Sequence, residues 1–118
     1  MGRMAGVMQY KDGWWQSSDG LRLHFRDYAG PKDRLPVLCI PGLTRNARDF
    51  EHVATRIAGE RRVICVELRG RGESGFAAEP QSYNPLTYLA DLEALLAELK
   101  LKKFIAIGTS LGGILTML

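Results

Sequence analysis

The sequence predicts an α/β fold, a mostly parallel sheet with flanking helices. Three observations carry that expectation. Three short apolar runs rich in Val and Ile, Pro36–Ile40, Arg62–Leu68 and Phe104–Gly108, lack solvent-facing alternation, as strands covered on both faces do. Stretches with helical periodicity separate them. Strand and helix therefore alternate along the chain, which calls for right-handed crossovers and parallel pairing.

Taken in order, Trp14–Ser17 and Leu21–Tyr28 flank the turn signal Ser18-Asp19-Gly20. Leu21, Leu23 and Phe25 alternate with Arg22, His24 and Arg26, so the pair reads as an antiparallel hairpin at a sheet edge. The first buried strand follows, then a helix over Ala47–Ala58, where Phe50, Val53 and Ile57 recur at helical spacing and Gly59 is a natural stop. After the second buried strand, Asn84 can cap a helix running to Lys100, with Pro85 in its first position. Leu89, Leu92, Leu96 and Leu99 form its apolar stripe, and Asp91, Glu93 and Glu98 fall off it, as on an exposed face. The third buried strand leads into Ser110–Leu118, which has the composition of a helix start. No repeat or linker divides residues 1–118, which read as the N-terminal part of a single domain. A last parallel strand with no further neighbour would expose an apolar edge.

Composition narrows the function classes. Hydrophobic residues make up 46% and charged residues 25% of 118, the balance of an ordinary globular chain. Net charge is +3, but the sixteen Lys and Arg are scattered and no aromatic residues interleave with them, which argues against nucleic-acid binding. No segment has the length of a membrane span or of a signal peptide's apolar core, and Gly6 breaks the myristoylation pattern. Cys39 and Cys65 each sit in an apolar run, reading as buried free thiols first and a disulfide second. These features together lead to an expectation of a cytoplasmic protein.

Ligands of open parallel sheets collect outside the carboxyl ends of the strands. Three loops occupy that place. Gly108-Thr109-Ser110-Leu111-Gly112 matches G-x-S-x-G. Glycines at 108 and 112 permit a sharp strand-to-helix reversal that lifts the Ser110 hydroxyl clear of the sheet as a candidate nucleophile. The loop Pro41-Gly42-Leu43 can swing a backbone N–H toward it, so Leu43 and Leu111 are the candidate oxyanion amides, with Gly42 giving the loop its turn. Arg45, farther along, reads as a solvated loop arginine. The third loop, Gly70 to Gly75, fits G-x-G-x-x-G, but it runs into Phe76–Pro80 rather than a helix, and the following acids, Asp91 and Glu93, lie within a helix. A Rossmann-type nucleotide-binding domain is therefore the alternative rather than the leading reading.

"CIPGLT", "VELRGRGESG" and "IGTSLGG", in this order and spacing, resemble the α/β-hydrolase family in its serine-nucleophile branch. Pro41 stands where relatives often carry histidine, and Glu67 where aspartate is usual. The resemblance implies an eight-stranded sheet of which this chain supplies about the first five strands, truncated after the nucleophile elbow. It implies a Ser–His–acid triad whose histidine and acid follow Ser110 in chain order, and neither is found up to Leu118. His24 and His52 match no triad position and are expected at the surface or half-buried. A small-molecule acyl substrate such as an ester or lactone is implied, without cofactor or metal, and serine at the elbow disfavours aspartyl-ester chemistry. On this reading the 118-residue chain alone is inactive and the lid lies beyond it. A non-catalytic remnant of the same fold is the other alternative. The sequence carries no signal for oligomeric state.

Overall fold

The computed structural model describes residues 10–41, 50–78 and 80–108. Its elements run β1 (Lys11–Gln16), β2 (Arg22–Tyr28), β3 (Val37–Ile40), α1 (Glu51–Ile57), β4 (Val63–Val66), α2 (Pro85–Leu99) and β5 (Ile105–Gly108). The five strands form one sheet in the order β1-β2-β4-β3-β5. β1 and β2 pair antiparallel, as do β2 and β4, whereas β3 pairs parallel with both β4 and β5. The hairpin and the parallel strands stand where the sequence puts them.

The hairpin turn is closed by its own polar residues. Ser17 N–H donates to the Leu21 carbonyl at 2.9 Å, and Leu21 N–H returns to Ser17 Oγ at 2.9 Å. Side chains then alternate across the sheet. On one face Trp15, Leu23, Phe25, Leu38, Ile40, Ile64 and Val66 pack with Tyr88, Leu92 and Leu95 of α2. On the other, Tyr28, Val37, Cys39, Val63 and Cys65 pack with Ala54 of α1 and with Phe50, which precedes that helix. Coverage on both faces is why β3 and β4 are apolar throughout, and every residue of both is buried. Cys39 and Cys65 are register partners, buried and free.

α2 begins as the sequence indicates. Asn84 Oδ1 accepts the Thr87 N–H at 3.0 Å, and Pro85 fills the first turn, where a missing N–H costs nothing. It ends at Lys100, in the left-handed region at φ 57, and the Leu101 N–H reaches back to the Leu96 carbonyl at 2.9 Å. The buried face runs through Tyr88, Asp91, Leu92 and Leu95, and Leu89, Leu96 and Leu99 flank it, partly buried. Asp91 is therefore inside rather than on the exposed face, because a buried arginine meets it there. α1 is described from Glu51, and the expected start at Ala47 lies outside the described residues.

β5 shows the exposed apolar edge expected of a last parallel strand. Its composition is that of a strand covered on both faces, yet Ile105 is 38% exposed and Ile107 only half-buried. Among the described residues β5 has one strand neighbour, β3, and it forms the edge of the sheet.

Candidate functional site at the carboxyl edge of the sheet

The parallel strands β3, β4 and β5 all end on one edge of the sheet. Ile40, the last residue of β3, is the register partner of Gly108, the last residue of β5. Pro41, buried, follows Ile40 and leads into Gly42 and Leu43, while Gly108 leads into Thr109 and Ser110. Of the sequence-derived site residues, Gly108 is placed, half-buried at this edge. Gly42, Leu43, Ser110, Leu111 and Gly112 lie outside the described residues, as does Arg45.

The third segment at this edge follows β4 and is fully described. Gly70 N–H donates to the Gly75 carbonyl at 2.7 Å and closes the loop. The N–H groups of Arg71, Ser74 and Gly75 donate to the carbonyls of Leu68, Arg71 and Arg22, and that of Glu73 donates to Glu67 Oε1 at 2.8 Å. Five of the six amides from 70 to 75 are thus bound within the chain and cannot cradle a pyrophosphate. Gly72, at φ 54, sits where any Cβ would overlap the Glu67 carboxylate, and Gly70, at φ 77, lies against the Tyr83 ring. Beyond Gly75 the chain makes bends and a short 3-10 turn at Pro80–Ser82, and among the described residues no helix opens directly from the loop. These glycines serve the loop's own packing, which removes the basis of the Rossmann alternative.

Two buried ionic groups brace the edge. Arg69, wholly buried, donates to Asp91 through Nε at 2.8 Å and Nη2 at 2.7 Å, and to Asp19 of the hairpin turn at 3.0 and 3.1 Å. It ties the hairpin to α2, and its bonds to Asp91 raise its own pKa further. The hydrogen bond from Arg69, then that from Ser17, lowers the Asp19 carboxyl to about 2. Burial pushes the Asp91 carboxyl up, against the pull of the Arg69 guanidinium.

The second group centres on His24, 1% exposed. Nδ1 lies 2.7 Å from Glu67 Oε1 and Nε2 2.7 Å from Asp12 Oδ1. Ser74 Oγ donates to the Glu67 carbonyl at 2.6 Å and accepts the His24 N–H at 2.8 Å. Burial disfavours the charged ring, but the hydrogen bonds to Glu67 and Asp12 outweigh it and raise the His24 pKa. The expectation of a surface or half-buried His24 is corrected here. The residue is on the polar face of β2 as its alternation indicates, and the 67–75 loop covers that face. Asp12, His24 and Glu73 also place ligand atoms within 4.8 Å of one another, the spacing of a cation site. Both His24 nitrogens already lie 2.7 Å from carboxylate oxygens of Glu67 and Asp12. His52 is exposed on α1.

Sequence reasoning missed this bracing. Its signal was Glu67-x-Arg69 after an apolar strand, two charges that require partners if the segment is buried.

Comparison with known proteins bears on the same chain. Residues 36–118 match the family described as alpha/beta hydrolase fold. The structure resembles that of an alpha/beta hydrolase from Novosphingobium aromaticivorans with a TM-score of 0.92 and 63% identity, over 94% of this chain and 39% of that one. The sequence is 35% identical over 96 residues to the 3-hydroxybutyrate-oligomer hydrolase of Cupriavidus necator, covering 81% of this chain and 33% of that protein. It is 31% identical over 99 residues to epoxide hydrolase 4 of Mus musculus, covering 84% and 27%. The chain thus spans about a third of the length of the curated relatives it matches.

Proposed function

The chain belongs to the alpha/beta hydrolase fold family, and on that premise we propose that it supplies the nucleophile and oxyanion half of a serine hydrolase acting on a carboxylic ester or lactone. The observation that carries this reading is the pairing of Ile40 with Gly108. Two chain crossings leave adjacent positions on one sheet edge, with Leu43 three residues beyond one and Ser110 two residues beyond the other.

Ser110 Oγ attacks the acyl carbon, and its proton passes to a histidine. The amides of Leu43 and Leu111 stabilise the oxyanion, an effect worth about 3–4 kcal/mol per donor in serine hydrolases. Collapse of the tetrahedral intermediate releases the alcohol with that proton, and water then hydrolyses the acyl-enzyme. The histidine and its acid belong, on this reading, to the part of a longer protein that the relatives' lengths indicate. The His24 nitrogens are committed to Glu67 and Asp12, so that ring is not the base.

Serine at 110 supports ester chemistry over the epoxide opening named for the mouse relative, and the likeness to a 3-hydroxybutyrate-oligomer hydrolase supports an ester substrate. The partner is a small acyl molecule, with no role for nucleic acid, and the expected site of action is the cytoplasm. p-Nitrophenyl ester hydrolysis by the longer protein, with Ser110→Ala as control, tests this. Turnover lost in the variant supports the reading, and turnover that survives it refutes it. The 118-residue chain alone is expected to give little or no turnover.

A further inference from the structure

We propose that His24 is a positioning residue, an imidazolium strap between Asp12 and Glu67 that fixes the Glu67 carboxylate and, through it, the loop from residue 67 to 75 at the carboxyl edge of the sheet. The inference starts from hydrogen-bond inventory. A neutral imidazole offers one N–H and one lone pair. Here both ring nitrogens lie 2.7 Å from carboxylate oxygens, so a neutral ring would set a lone pair against a carboxylate lone pair. Two N–H donors remove that repulsion and make both bonds charge-assisted.

The charged groups facing the ring come from each element packed against it. Asp12 comes from β1, Glu67 from the end of β4 and Glu73 from the loop. On β2 itself, Arg22 lies over the Trp14 ring, which in turn meets the His24 ring at 4.6 Å between centroids. The three carboxylates outweigh the burial that opposes a charged ring, and the raised His24 pKa agrees.

Loss of the proton has an ordered consequence. The Asp12 side chain is 54% exposed and returns to water, whereas the Glu67 side chain is 6% exposed and cannot. Nδ1–H therefore stays with Glu67, and Nε2 releases Asp12. Glu67 then keeps the bonds from His24 Nδ1–H and the Glu73 N–H, but the first is no longer charge-assisted. It is also the residue against which Gly72 packs, so the loop loosens with it. Cys39 pairs with Cys65, and two residues farther along the same register Pro41 stands level with Glu67. The strap thus ends beside the strand that leads into Gly42 and Leu43. Its consequence for catalysis rests on the hydrolase reading, and the strap itself does not.

Ring titration by long-range proton–nitrogen NMR, with hydrogen exchange at the Glu73 amide, tests the proposal on the longer protein. His24 is expected to carry protons on both nitrogens at pH 6.5 and to lose one at higher pH. Asp12→Asn, at an exposed position, lowers that midpoint by about one pH unit, tenfold in proton affinity. Glu73 exchange, corrected for its intrinsic pH dependence, rises at least about tenfold as the ring deprotonates. In the active enzyme kcat falls through the same midpoint, and Asp12→Asn moves that limb. A ring with one proton at pH 6.5, or a midpoint indifferent to Asp12→Asn, overturns the proposal, as does Glu73 exchange indifferent to the ring. Absence of ester hydrolysis alone would instead count against the hydrolase reading, because titration and exchange need no activity.

Discussion

Arg69 and Asp91 meet through two parallel hydrogen bonds, at 2.8 and 2.7 Å, with both side chains buried between the sheet and α2. The same guanidinium holds Asp19, whose side chain is 51% exposed. Removing one partner of a buried pair strands the other charge, whereas a surface partner is replaced by water. Asp91→Ala is therefore expected to cost about 3–5 kcal/mol and Asp19→Ala about 0–1 kcal/mol. Urea denaturation of both variants checks the ranking, and similar losses at the two sites would show that Arg69 does not depend on Asp91.

Stability should fall at both ends of the pH range for different reasons. The His24 pKa is raised in the folded chain, so its contribution is complete below the unfolded value of about 6.5 and is lost as pH rises through the folded value. The Asp19 pKa is lowered to about 2, so its smaller, solvent-screened contribution is present above the unfolded value near 3.8 and disappears as pH falls toward 2. Denaturant midpoints measured across this range should decline on both sides. In His24→Gln the alkaline decline should flatten while the acid one persists.

Gly72→Ala should destabilise the chain by about 1–3 kcal/mol, through a left-handed backbone at φ 54 and a methyl group placed on the Glu67 carboxylate. Thermal unfolding of this variant measures the cost. A neutral outcome would mean that the loop reorganises freely around Glu67.

NAD should leave the fluorescence of Trp14 and Trp15 without a saturable change, because the loop amides are already bonded within the chain. A saturable response lost in a loop variant would restore the nucleotide-binding alternative.

The hairpin and α2 were legible from their periodicity, and β3 and β4 from unbroken apolar runs, patterns that burial imposes locally. Asn84 and Pro85 announced the start of α2 by their own chemistry. His24 and Asp91 were misjudged because their partners, Glu67 and Arg69, lie 43 and 22 residues away, and local alternation does not report which charges meet. β5 was legible as a strand, and its exposed Ile105 is the apolar edge expected of a last strand with no further neighbour among the described residues. At the candidate site, Gly108, the first residue of G-x-S-x-G, ends β5 opposite Ile40. The residues that would do the chemistry lie outside the described ones, so their roles rest on motif and register.

The most direct measurement is covalent labelling of the longer protein with a fluorophosphonate, followed by peptide mass mapping. The expected result is one adduct on Ser110, abolished in Ser110→Ala and accompanied by loss of ester hydrolysis. An active protein that remains unlabelled at Ser110, or is labelled elsewhere with loss of activity, would contradict the assignment of the nucleophile.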